Sequence, residues 1–214
     1  MTPLMTPQEI EEFFDILSAR NPNPQGELYS TNAFTFLVAV VLSAQATDKG
    51  VNKATKALFD VADTPQKMLA LGLEGLKTYI NTIGLYNSKA RHIMALSQKL
   101  VDVFKGEVPT TAQALQTLPG VGPKTANVVL NALYGDHVIA VDTHVFRVSN
   151  RTGLAPGKTP LDVEKQLMKR VPSRWILHTS HWLVLHGRYI CKARVPLCPT
   201  CPVKAQCHYG QKTA

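Results

Sequence analysis

Apolar positions recur at three- and four-residue intervals along most of the chain and seldom at every second residue, so the pattern predicts helices. Ile10, Phe13, Phe14 and Leu17 form one stripe behind Thr6-Pro7-Gln8-Glu9, where Thr6 caps, Pro7 opens the first turn and Glu9 completes a capping box. Asn21-Pro22-Asn23-Pro24 ends that helix. Thr31 or Asn32 opens a second one through residues 34–42, which is apolar nearly all round and so is expected at the centre of a fold. Its β-branched residues would also suit a strand, but no second strand candidate of similar strength exists to pair with it. Further helices are predicted over 49–61, 64–71, 73–82, 88–104 and 111–118. Val138 to Val141 reads as a brief extended segment. Asp142 caps a helix containing Val145, Phe146 and Val148. Thr159-Pro160 caps another with Val163, Leu167 and Met168 inward, and a last helix runs from Trp175 to Tyr189. The expected fold class is all-α.

One stretch departs from plain helix. In Leu115 to Ala126, Pro119 stops one periodic segment, and Ala126, Val129, Leu130 and Leu133 begin the next. Between them, Gly120 and Gly122 permit backbone angles closed to other residues and leave N–H groups open to a close visitor. Those amides lie at a helix N-terminus, where the dipole favours an anion such as a phosphate. The stretch is not a nucleotide P-loop, because Pro123 separates Gly122 from Lys124 and a helix rather than a strand comes first. An ordinary αα-hairpin with a glycine-rich turn fits the same residues.

Composition changes this picture in one respect. A formal net charge of +8 over 214 residues points to a polyanionic partner, nucleic acid before membrane. The N-terminus shows no signal-peptide pattern, and no apolar run reaches transmembrane length, so a soluble, cytoplasmic protein is expected.

All four cysteines fall between positions 191 and 207, as Cys191, Cys198, Cys201 and Cys207. A secreted disulfide scaffold would scatter them through the fold. Four thiolates this close repel unless a metal centre neutralises them. Zinc favours pairs separated by two to four residues, which only Cys198 and Cys201 provide, whereas an iron–sulfur cube tolerates uneven loops. Both centres stay open on spacing. Lys192 and Arg194 in the first loop, and Lys204 in the last, would present positive charge to phosphates or simply to solvent.

Lys124 follows the hairpin directly. A helix N-terminus disfavours an ammonium ion, and partial burial would do so further, so a neutral amine there could form a Schiff base. A solvated, phosphate-touching lysine is the plainer reading. Asp142 is most simply an N-cap, although a capping carboxylate can also stabilise positive charge developing on a sugar. His178 and His181 share a helix face and suit packing better than metal ligation.

Leu118-Pro-Gly-Val-Gly-Pro-Lys-Thr-Ala126, Val141-Asp-Thr-His-Val-Phe-Arg147 and the four-cysteine tail together resemble the helix-hairpin-helix DNA glycosylases that carry an iron–sulfur cluster. Leu42-Ser-Ala-Gln-Ala-Thr-Asp48 and Thr82-Ile-Gly-Leu-Tyr-Asn-Ser-Lys89 extend the likeness over nearly the whole chain. The resemblance implies a base-excision-repair enzyme that removes oxidised pyrimidines from double-stranded DNA and then cleaves at the abasic site by β-elimination. It implies Lys124 as nucleophile at C1′, Asp142 as its electrostatic or proton-transfer partner, and a [4Fe-4S] cluster on the four cysteines. Gln45 and Leu85 match the loops that fill the gap left by an extruded base, which calls for an apolar wedge and a pairing amide. Two lobes are implied. One is a six-helix barrel over 25–136 containing the hairpin; the other, holding the cluster, is discontinuous over 1–24 and 137–214. A DNA cleft between them would set Lys124 opposite Asp142. A monomer is expected.

The sequence departs from that family's pattern at Pro123 and Val195, where related enzymes often carry basic residues; both bear on affinity more than on reaction type. Two other readings compete: a mismatch thymine or adenine glycosylase, and a non-catalytic DNA-binding module. Lys124 argues against members that only hydrolyse the base, and the short C-terminus argues against adenine-mismatch enzymes with an extra domain.

Overall fold

The computed structural model describes residues 3–209. Among these residues the regular structure is helical, with no strand. The chain divides into two compact units, Glu27–Tyr134 and a discontinuous one of Met1–Gly26 with Gly135–Ala214.

The Glu27–Tyr134 unit holds six helices: α2 (Ala33–Ser43), α3 (Asp48–Val61), α4 (Pro65–Ile80), α5 (Tyr86–Phe104), α6 (Ala112–Gln116) and α7 (Pro123–Tyr134). Asn32 starts α2 by a reciprocal cap with Thr35, and Leu37, Val38, Ala39, Val41 and Leu42 are all buried, so its β-branched content yields to central packing. α2 touches α3, α5 and α7, while α4 lies along α5. The two helices expected over 64–71 and 73–82 are both present within the span α4, separated at Gly72 where φ is +73°. That angle suits glycine and interrupts the helix between two buried faces, around Met68 and around Leu76 and Ile80.

The other unit contains α1 (Pro7–Arg20), α8 (Thr143–Thr152), α9 (Pro160–Arg170) and α10 (Ser173–Tyr189). The Thr6–Glu9 capping box forms as the sequence predicts. Phe13, Phe14, Val145, Val148, Leu183 and Val203 belong to its buried core. α8 packs on both α9 and α10. Residues 138–141 take no regular structure; Ile139, Ala140 and Val141 are buried, and the Ala140 N–H donates to Ser180 Oγ at 3.0 Å. Met168 does not point inward as its periodicity suggests. It is 40% exposed, because α9 buries only the narrower stripe of Val163 and Leu167.

No helix of the described residues is long and apolar enough to cross a membrane.

Candidate functional site

In the Glu27–Tyr134 unit the hairpin is built from both sides. Leu115 and Leu118 are buried, and the Val121 N–H donates to Leu118 O at 3.1 Å, which closes the turn. Lys99 on α5 donates from Nζ to Thr117 O at 2.9 Å and so engages a carbonyl at the end of α6. Gly120 has φ +81°, and a Cβ there would sit 3.1 Å from His92 Cβ and 3.3 Å from Val41 Cγ1. Both backbone angle and space therefore require glycine. Gly122 differs from the sequence expectation: its φ is not left-handed, and among the described residues nothing beyond its chain neighbours lies within 4 Å of an added Cβ. What its missing side chain provides is an open approach to the backbone. Gly122 O accepts from Ala126 N at 2.9 Å, so α7 begins there. Lys124, in the first turn, is exposed rather than partly buried, because Gly122 and Pro123 beside it are also exposed.

Gln45 and Leu85 lie in two turns of the same unit, after α2 and before α5. Both take left-handed backbone angles, φ +55° and φ +61°. Neither residue type favours that conformation, and Leu85 also occupies an N-cap position where its side chain has no oxygen to offer. Leu85 is 63% exposed, so it is not a buried loop residue. Local preference is broken at an exposed apolar tip, a combination typical of functional positions.

In the other unit, Asp142 caps α8. Its Oδ1 accepts from the N–H groups of His144 and Val145, each at 2.8 Å, and Oδ2 takes no part in the cap. The four cysteines, none in a disulfide, line one cavity with about 320 Å³ of empty space, part of it open to solvent. Thr152, His186 and Val203 form its buried wall. Burial pushes the Cys201 thiol up to about 11, and the other three cysteines add to the effect. Thiolate there needs a compensating positive centre. Among the described residues no group of three or more histidine, cysteine or carboxylate side chains is placed to hold a single metal ion.

Sequence reasoning assigns no role to Arg147 or Arg151, yet both hold the first cysteine loop. Arg147 donates from Nε to Cys191 O at 3.0 Å and from Nη2 to Gly187 O at 2.7 Å. Arg151 donates to Lys192 O at 2.7 Å and Ala193 O at 2.6 Å. Their spacing of one helical turn on α8 was the available signal. Lys192 and Arg194, on the loop so held, are exposed. His178 packs edge-on against Trp182, with ring centroids 5.4 Å apart.

Residues 38–173 match the model of the HhH-GPD superfamily of base excision DNA repair proteins. The chain is 57% identical to endonuclease III of Rickettsia conorii, covering 96% of this chain and 98% of that protein. It is 54% identical to endonuclease III of Escherichia coli K12, over 94% and 95% of the two chains. A trapped covalent intermediate of an endonuclease III with DNA superimposes with a TM-score of 0.90 at 46% identity, covering 98% of this chain and 99% of the other. A thermostable thymine-DNA glycosylase, at 22% identity and a TM-score of 0.84, shares the fold.

Proposed function

The chain belongs to the HhH-GPD superfamily of base excision DNA repair proteins, and we propose that it is a bifunctional DNA glycosylase and abasic-site lyase acting on oxidised pyrimidines in duplex DNA. The observation that carries the reading is the hairpin: an exposed Lys124 two residues beyond an open Gly122, at a helix N-terminus suited to phosphate. The backbone around Gly120 and Gly122 grips the DNA phosphate. Leu85 enters the stack as an apolar wedge, and the Gln45 amide pairs with the base left opposite the gap.

Lys124 Nζ attacks C1′ of the extruded nucleotide and displaces the damaged base. The sugar ring opens to a protonated Schiff base between Nζ and C1′. That cation acidifies the C2′ proton, and its removal expels the 3′ phosphate, which cuts the strand. Asp142, with Oδ2 outside the cap, supplies the negative charge that favours cationic sugar species, or accepts a proton. A covalent DNA intermediate trapped in a relative of high identity supports this chemistry.

Cys191, Cys198, Cys201 and Cys207 fit a [4Fe-4S] cluster: an all-thiol donor set around one cavity, with a half-buried Cys201 whose ionisation is disfavoured by desolvation and by the other three cysteines until positive charge is bound. Bound there, the cluster would supply charge neutralisation and cross-linking, and the loop held by Cys191 and Cys198 would present Lys192 and Arg194 to phosphate.

The test is borohydride trapping on duplex DNA containing thymine glycol or an abasic site. A covalent adduct is expected, and it should vanish in Lys124→Ala while binding to DNA persists. Binding without any adduct would leave a monofunctional glycosylase or a DNA-binding module in its place.

A further inference from the structure

Lys89 lies within the Glu27–Tyr134 unit and is only 5% exposed. Its backbone N–H donates to Leu85 O at 3.0 Å, in the first turn of α5. Its side chain reaches across to the end of α2, where Nζ donates to Leu42 O at 2.9 Å. Leu42 is three positions before Gln45. One residue therefore bonds through its backbone to the exposed left-handed leucine and through its side chain to the helix end that launches the exposed left-handed glutamine.

Burial lowers the pKa of this ammonium group, so the site works against the charge it holds. A methionine would fill much of the same volume with no charge to desolvate. What lysine alone supplies is a donor to Leu42 O. Neighbouring carbonyls of the same helix end are met locally: Ser43 Oγ donates to Val40 O at 2.8 Å and Ala46 N to Ser43 O at 3.0 Å. The bond from Lys89 ties this helix end to the other turn.

We propose that Lys89 is a positioning residue that sets the register between the Leu85 and Gln45 turns, so that wedge and pairing amide enter the duplex together. This rests on the reading of those two residues as the gap-filling pair. A fluorescent 2-aminopurine placed beside a thymine glycol in duplex DNA reports extrusion, and borohydride trapping on a single-stranded abasic oligonucleotide reports Lys124 chemistry with no base to extrude. Lys89→Met should slow extrusion by about tenfold or more, as a small misplacement does, and leave single-strand trapping unchanged. In a Gln45→Ala, Leu85→Ala background, Lys89→Met should slow extrusion no further, since nothing remains for it to align. Unaltered extrusion in Lys89→Met, an equal further loss in that background, or joint loss of single-strand trapping would each overturn the inference. Absence of an adduct with the unsubstituted protein would instead strike the lyase reading, so the two failures are distinguishable.

Discussion

The hairpin and the cysteine tail both present backbone and positive charge on turns, yet they are held in different ways. The hairpin is packed: Leu115 and Leu118 are buried beneath it, and Gly120 sits against His92 and Val41. The tail after α10 has little of this. Its regular structure among the described residues is a single 3-10 turn, Cys198–Thr200, and of residues 191–209 only Val203 and Gln206 are buried. It is held instead by hydrogen bonds to groups elsewhere in its unit. Arg147 and Arg151 bond its carbonyls, the His208 N–H donates to Thr152 O at 3.0 Å, and His208 Nε2 meets Glu9 Oε1 at 2.8 Å. A segment with so small an apolar interior needs cross-links, and the centre proposed on the four cysteines would supply them.

Loss of the proposed centre should therefore have the largest effect and the most local one. Cys198→Ser, or removal of the metal, is expected to raise amide exchange throughout 191–209, with a loss of several kcal/mol in local opening energy. Exchange in 27–134 should barely change. Equal loss of protection in both units would erase the contrast.

Arg151→Met should come next, with about 2 kcal/mol lost from the protection of residues around Lys192 and Ala193, because its bonds to two backbone carbonyls go, together with the one to Cys191 Sγ. The measurement is again residue-resolved exchange.

The hairpin is probed by its two glycines. Gly120→Ala forces a left-handed alanine against His92 Cβ and should cost about 1–2 kcal/mol by urea unfolding. Gly122→Ala should fall within about 0.5 kcal/mol of the parent, since beyond its neighbours the added Cβ meets none of the described residues. Its effect should appear in affinity for abasic duplex. Similar stability losses in both would contradict the open approach at Gly122.

The smallest effect concerns pH. The Thr6 N–H first, and then the His208 imidazole, hold the Glu9 carboxyl at about 2 instead of its ordinary 4.5. A carboxylate held below its unfolded pKa stabilises the fold above 4.5 and loses that contribution as pH falls toward about 2. The Tm difference between parent and Glu9→Gln should be widest above pH 4.5 and close steadily below it.

Legibility from sequence followed the range of the interactions. Helices with local caps were readable because cap and partner lie three positions apart, as Thr6 with Glu9 and Thr159 with Asp162. The inward stripe of α9 was misread at Met168, because periodicity gives a face but not how wide a neighbour covers it. Gly120 and Gly122 look alike in sequence. Only the packing of α2 and α5 against the first separates a glycine the chain itself requires from one that leaves a surface open.

By itself the sequence determined the helical class, the hairpin with Lys124 behind it, the cap at Asp142 and the set of four thiols. Each of these is written in residues close along the chain, where spacing and side-chain chemistry suffice. The tertiary structure alone decided that Lys89 bonds a carbonyl 47 positions away and that Arg147 bonds one 44 positions away. Such pairs form only after helices distant in sequence have packed, because packing buries the donors and leaves them the carbonyls of another element as partners.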